Sequence, residues 1–442
     1  MAKELRAIVS GRALWTMLLI LCPLVGYGFF QAVALYGEAS SAARDAPVLA
    51  TGLSPLDGVL VPTFGALYLA VTLLFPFVAI RSLGREKETG ALRLLVQLPY
   101  RMPTLIAAKI TAIFGAWLAA LVPAASAVVI WAVLGGHLYV PETVNLVVGH
   151  LLYGLLVGSI ALFAASISES SATAAIIALA FTIGSWVLDF ALAGQPGMLE
   201  WVARLSLTQT LRTFEQGLLS IGLLLGIVAA IGGFAALATV WLHPGVPVRT
   251  RFIRSIACIV VAAIVLAAAT QVRTSVDLTE DRRNSFPAAD QRALAELREP
   301  LLITVHLAAE DPRYVDLRRN VLAKLERVVP HLTVRLATTG QSVVGSTSEE
   351  AYGEVDYSYA GRTDKSRSTS PREILPLLYA LAGRPVPPPG AGEEYPGSPL
   401  VADAKPALLW FFVGLPLLII LAWRWLRRAP QIPHFINDGG QS

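Results

Sequence analysis

The sequence predicts a polytopic α-helical membrane protein of about eight transmembrane helices that carries one extracytoplasmic α/β domain. The 442-residue chain is 55% apolar and only 15% charged, more hydrophobic surface than a soluble core of that length can bury. Eight long apolar runs, at 14–36, 59–80, 105–134, 143–167, 172–193, 217–242, 253–271 and 407–426, reach the roughly 20 residues that a bilayer core requires. Between the last two, from Arg273 to about Lys405, the composition turns soluble, with polar and apolar residues alternating.

The basic residues orient these runs. Lys3, Arg6 and Arg12 precede the first, and the segments Arg81 to Arg101, His243 to Arg254 and Arg424 to Arg428 fall on the same side. The segments assigned to the other side, 37–58 and 135–142, carry one arginine between them. Lys and Arg flanking membrane helices stay cytoplasmic. Both termini are therefore expected in the cytoplasm of a bacterial cell, and 273–405 in the periplasm beyond the inner membrane. The net charge of +4 is small, and no basic stripe points to nucleic acid. Cys22 and Cys258 both fall within apolar runs, so no disulfide framework is expected. The basic start and the small residues Ser40 to Ala43 have some character of a cleaved signal. The apolar stretch is longer than a signal core, however, and a retained helix is expected.

Residues 1–13 read as an amphipathic elbow helix lying in the membrane interface, with Leu5, Ile8 and Val9 at helical spacing and Lys3, Glu4 and Arg6 opposite; a plain charged tail is the simpler alternative. The longest connection among the first six runs spans Arg81 to Pro99. In it Arg85, Glu86, Lys87 and Glu88 are expected to begin a short helix, Leu92, Leu94 and Leu95 to supply apolar contacts, and Pro99 to end it. Such a helix can lie in the groove of a soluble partner; a solvated basic loop is the alternative. A seventh helix is placed at 252–272 and a domain at 273–384. In that domain strands are expected at Leu301 to Leu307, Leu332 to Leu336 and Gly353 to Ala360. Helices are expected over Tyr314 to Val329 and from Pro371 onward, an α/β pattern. Pro385 to Pro399 is rich in Pro and Gly, giving an extended linker over 385–405. An eighth helix at 406–427 and a tail at 428–442 complete the chain.

The chain contains no phosphate-binding G-x-x-x-x-G-K-[ST] loop, H-E-x-x-H or G-x-S-x-G. If transport is driven by ATP, hydrolysis belongs to another polypeptide, and no catalytic, cofactor-binding or metal-binding residue is expected here. His306 and His331 read as ordinary structural histidines, and Glu349-Glu350 and Glu393-Glu394 as surface charge without an oxygen-rich ligand loop. Ion-coupled transport needs ionisable groups in mid-membrane. His150 and Asp189 come nearest and lie towards helix ends, which disfavours that class.

Residues 1–245 resemble a type-2 ABC transporter permease. The resemblance rests on Lys3-Glu4-Leu5, on a second run leading into Arg85-Glu86-Lys87-Glu88-Thr89-Gly90-Ala91-Leu92, and on Leu98-Pro99 followed by Lys109. It implies six permease helices within 14–245, the elbow, and a coupling region that meets an ATPase. Glu86 and Glu88 would sit where span two meets the coupling elements, with Arg85 and Lys87 beside them and Leu92 and Leu95 in contact. It also implies an outer re-entrant hairpin at Gln195 to Gln216, a separate ABC ATPase subunit that binds ATP and Mg, and a second copy of the chain. Residues 272–384 resemble the auxiliary subunit of gliding-motility-type ABC systems, through Val276-Asp277-Leu278-Thr279-Glu280-Asp281-Arg282-Arg283-Asn284-Ser285-Phe286, then Leu294, Leu297 and Pro300 to Val305. The two components are usually separate chains in that family and are joined here through the seventh helix. The resulting expectation is an exporter permease whose outer domain recruits substrate or a periplasmic partner. The alternative is a membrane scaffold that passes ATPase-driven work to envelope partners without moving a substrate.

Overall fold

The computed structural model describes residues 2–97, 101–191, 206–272, 274–308, 311–337, 352–388 and 395–428. Among them eight helices are long and apolar enough to cross a membrane: Arg12–Asp45, Leu56–Glu88, Met102–Val133, Val140–Ile167, Ser171–Leu188, Ile221–Leu242, Val248–Thr270 and Lys405–Arg427, here spans one to eight. In hydrocarbon every backbone N–H and C=O must be satisfied within the segment, which makes a helix the only open choice for such runs. Pro103 and Pro141 stand in the first turns of spans three and four, where a missing N–H costs nothing. Pro123 instead interrupts span three, dividing it into Met102–Ala120 and Val122–Val133. The molecule is a polytopic α-helical membrane protein with a distinct extracytoplasmic α/β domain, as predicted.

The bundle closes by seating aromatic rings in glycine gaps, the close approach that favours helix association where the solvent is itself apolar. A Cβ added at Gly154 of span four would lie 2.1 Å from the Trp117 ring of span three, and one at Gly149 would lie 2.4 Å from Phe214. Both rings are fully buried. Trp117 also donates its Nε1–H to the carbonyl of His150 at 3.1 Å.

Phe214 belongs to a short helix, Leu207–Glu215, that starts inside the bundle. Its cap Ser206 accepts from Gln209 N, Leu207 N donates to Ser185 Oγ of span five at 2.8 Å, and Thr208 lies 3.2 Å from the Tyr68 hydroxyl of span two. Ser185 stands six residues before Ala191, where the helix of span five ends, or about 9 Å of helix rise. The short helix climbs from that depth to Gly217. It falls within the segment Gln195 to Gln216 where a re-entrant hairpin was expected; residues 195–205 lie outside the described residues.

The extracytoplasmic domain is built on a sheet of order β4-β3-β5-β6, with β3 at Leu301–Val305, β4 at Leu332–Leu336, β5 at Val355–Tyr359 and β6 at Arg362–Ser366. The β3–β4 pair is parallel and the other two are antiparallel. The β3–β4 connection is helical over Pro312 to Val328, as parallel pairing demands. Leu301, Ile303 and Val305 point into a core shared with Leu317, Val321, Tyr357 and Leu378. Strand β6, of sequence RTDKS, was not expected: it is an exposed edge strand with no apolar alternation, a composition that discourages edge-to-edge pairing. A further pair, β1 at Leu218–Ser220 with β2 at Ser275–Asp277, joins the start of span six to the start of the domain.

The Pro/Gly-rich segment is not a free tether where it is described. Ser398 N donates to Leu53 O at 3.0 Å, the Tyr36 hydroxyl to Ser398 O at 2.6 Å and Leu400 N to Ser40 Oγ at 3.0 Å, so the chain is laid along span one before span eight begins. Span eight then packs on span one, with buried Phe411 over Gly26, where a Cβ would come within 2.2 Å of the Phe411 Cβ. Phe411→Ala should cost about 3–5 kcal/mol through the cavity it leaves, and Gly26→Ala should destabilise by overpacking. Combined, the two should cost less than their sum, because the smaller residue makes room for the added methyl. Thermal unfolding midpoints of the four forms in detergent would measure this; strictly additive losses would mean that the two positions do not touch.

Candidate functional site

Span three contains one lysine, Lys109, and its side chain is 0% exposed. Its ammonium meets three acceptors from two other elements: Glu86 Oε2 at 2.7 Å and Ser82 O at 2.9 Å on span two, and Glu4 Oε2 at 3.0 Å on the elbow helix. Three acceptors saturate an ammonium's three donors, which is the condition for holding it away from water. The elbow helix, Ala2–Ser10, turns Glu4, Leu5 and Ile8 inwards and leaves Lys3 and Arg6 exposed. Leu5 rests against span three, within 2.9 Å of where a Cβ on Gly115 would stand, and Trp15 Nε1 of span one donates to Val9 O at 2.6 Å.

The charged tetrad departs from expectation. Arg85 to Glu88 form the last turn of the span-two helix, Val61–Glu88, instead of the first turn of a separate one. The break comes after them at Gly90, whose φ of +72° ends the helix in the left-handed region that glycine tolerates. Successive residues on that turn point about 100° apart, so each reaches a different neighbour. Glu86 turns to Lys109. Lys87 Nζ donates to the carbonyls of Ala165, Ser166 and Ser168 at 2.6, 3.0 and 2.8 Å, satisfying the C-terminal end of span four, where a cation is favoured. Glu88 accepts from Ser171 Oγ of span five at 2.7 Å, and Arg85 is exposed. The short helix that follows is Ala91–Gln97. Leu92 packs against the membrane core, Leu95 is half-buried and Leu94 is 68% exposed. Pro99 and Leu98 lie outside the described residues.

The structure thus brings Glu4 and Glu86 together at Lys109, sends Lys87 and Glu88 to spans four and five, and leaves Lys3, Arg6 and Arg85 on the surface. Lys109 was not singled out as a site residue in the sequence. A lone charge in an apolar run is the signal that marks it. His150, expected near a helix end, is fully buried, with Nδ1 3.0 Å from Leu146 O and Nε2 3.8 Å from Glu215 Oε1. The Asp189 side chain lies outside the described residues.

The family model for ABC-2 family transporter proteins matches residues 1–221, half of the chain. The chain belongs to the ABC-2 transporter family. Membership makes it a permease component and implies a partner ATPase and a dimeric arrangement of permeases. The matched part of this ABC-2 protein holds the elbow helix, spans one to five and the whole Lys109 cluster. No curated protein and no solved structure is significantly similar to the chain.

At the opposite end of the ABC-2 bundle, residues 275–285 lock the extracytoplasmic domain onto three interhelical loops. The Asp277 carboxylate organises the segment, accepting from Thr279 N and Oγ1, Asn284 N and Ser285 Oγ at 2.7 to 3.1 Å. Arg283 reaches the loop between spans one and two, donating to Ser54 Oγ at 2.7 Å, and pairs with Asp57 in the first turn of span two. Glu280 reaches the loop between spans three and four, with His137 Nε2 at 2.9 Å, and its backbone N–H donates to Glu142 at 3.2 Å. Leu278 N and Asn284 Nδ2 hold Gly217 O and Gln216 O, at 2.9 and 2.7 Å, at the end of the helix Leu207–Glu215. Burial pulls the Arg283 guanidinium down to about 10, still charged at neutral pH, and pushes the Asp281 carboxyl up.

Lys109→Met should leave Glu4 and Glu86 enclosed without a counter-charge and destabilise the protein by about 3–5 kcal/mol. Adding Glu4→Gln and Glu86→Gln to Lys109→Met should recover most of that loss. Thermal unfolding in detergent, with hydrogen exchange of residues 2–10 as a local readout, measures both. An unchanged Lys109→Met protein would show that the cluster contributes nothing.

Proposed function

We propose that the protein is the membrane-spanning permease subunit of an ATP-driven exporter of the bacterial inner membrane, with 14–245 as permease domain. A separate ATPase docks at the end of the bundle that carries the elbow helix, the last turn of span two and helix Ala91–Gln97, and two copies of the chain work with two ATPases. In this reading both termini and the coupling elements are cytoplasmic, as the basic loops require, and 273–384 is periplasmic. The observation that carries it is the buried Lys109, which fuses elbow, span two and span three into one rigid block at the foot of a short helix presenting exposed Leu94. A push on that helix and on Arg85 reaches spans two and three directly, and spans four and five through Lys87 and Glu88. The chain performs no bond chemistry in this mechanism: ATP and Mg belong to the partner.

The second reading, a scaffold that passes ATPase-driven work to periplasmic partners, is favoured by the clamp at 275–285, because a domain locked to three loops must follow the bundle. The resemblance of that domain to the auxiliary subunit of gliding-motility-type systems accords with either reading, with the domain recruiting a periplasmic partner.

Because Glu86 is enclosed with Lys109, surface residues are the right probes of docking. Purified from its native membrane in detergent, the wild-type protein should bring an ATPase subunit with it, and Arg85→Glu/Leu94→Asp should lose at least nine-tenths of it while unfolding at the same temperature. Absence of any ATPase with the wild type would overturn the exporter reading. Retention by the variant would move the docking surface away from 85–97.

A further inference from the structure

The re-entrant helix Leu207–Glu215 has two unlike faces. Thr208, Leu211 and Phe214 are buried in the bundle, whereas Gln209, Thr210 and Thr213 line a cavity of about 640 Å³. A polar helix face at membrane depth is tolerated where it borders protein or a water-filled space. The remaining walls come from the ends of spans six and seven, including Leu223, Thr270 and Val272. Ala323, Glu326, Arg327 and Leu332 of the extracytoplasmic domain form the roof.

The chemistry of the lining selects what enters. Thr210, Thr213 and Thr270 donate their hydroxyl protons back to Ser206 O, Gln209 O and Ala267 O, at 2.8, 3.2 and 2.7 Å. Such back-bonding leaves oxygen lone pairs to face a ligand. On the roof the acid Glu326 offsets the base Arg327, whose guanidinium already donates to Asn284 O. A phosphate, an anion with acceptors only, gains little from the threonine oxygens and meets the Glu326 carboxylate beside Arg327, so that the charges of the roof offset each other. A polyol, which brings donors and no charge, is matched, and the leucine and valine walls suit the apolar root of the molecule that bears it.

We propose that this cavity binds the uncharged, hydroxyl-rich headgroup of an amphiphile, a glycolipid by chemical class, beneath the extracytoplasmic domain. As a station on an export path it rests on the exporter reading; as a binding site it does not.

The test uses the full chain with Cys22→Ala and Cys258→Ala, carrying Thr213→Cys, in nanodiscs of phosphatidylethanolamine and phosphatidylglycerol, and a membrane-impermeant maleimide. Thr213→Cys should label, and discs containing digalactosyl diacylglycerol should slow labelling at least tenfold. Thr363→Cys, on the exposed edge strand β6, should label equally in both. Ser275→Cys, which also lines the cavity, serves if Thr213→Cys does not fold. No labelling at the cavity position while Thr363→Cys labels would overturn the site. Labelling unaffected by the galactolipid, or slowed equally by added phosphatidylglycerol, would overturn the headgroup assignment. None of these outcomes depends on whether an ATPase co-purifies, so a failed site and a failed exporter reading remain distinguishable.

Discussion

An ammonium sealed from water must be surrounded by acceptors, and in this protein that requirement sets the geometry of one whole end of the bundle. Lys109 cannot be satisfied by span three, whose own carbonyls are engaged in its helix, so it recruits Glu86 and Ser82 from span two and Glu4 from the elbow. The elbow therefore has one angle at which it can lie, with Leu5 and Ile8 against the bundle and Lys3 and Arg6 towards solvent. Two carboxylates around one lysine also leave the cluster with an excess negative charge. That excess makes the cation indispensable, because without it the acids would repel across a few ångströms in a medium of low dielectric.

Spans two and four connect this end to the other. Span two runs from Leu56, next to the Asp57 that Arg283 holds, to Glu88, just past the Glu86 of the Lys109 cluster, 33 residues and about 50 Å of helix. Span four runs from Glu142, which accepts from Glu280, to the C-terminal carbonyls that Lys87 caps. Each is thus fixed at both ends by charged contacts that belong to other elements. With both ends held in this way, neither helix is free to fray where it meets its partners.

The eight spans were legible because lipid imposes a length and a composition that no other environment does. The strands β3 and β5 were legible because one face of each is buried and the pattern alternates. Strand β6 was not, since RTDKS owes its conformation to pairing with β5 and buries no apolar face. The tetrad at 85–88 was recognised as a charged unit but set on the wrong helix, because helical periodicity runs on through the membrane boundary and only Gly90, at positive φ, marks the stop. Lys109 stood in plain view as a lone charge, yet its partner Glu4 lies 105 residues away, and no local pattern relates them. The joint at 275–285 shows the same division: Asp277 organises its own loop within eight residues, whereas the loops that Arg283 and Glu280 reach are set by the fold.

The placing of the extracytoplasmic domain follows from how its two tethers are treated. Span seven has a largely exposed apolar surface, including Ile253, Ile256, Ile259 and Ile264, and by itself would give the domain a loose root. The chain does not rely on it: β1–β2 pairing clamps the domain's entrance to the start of span six, and the segment from Ser398 to Leu400 is laid on span one before span eight packs there through Phe411. The domain is thereby held at span six through β2, and the segment that follows it is held at span one. Any motion of the start of span six must carry the domain's entrance with it or break the β1–β2 pairing, and the residues that the domain contributes above Leu207–Glu215 lie next to that joint.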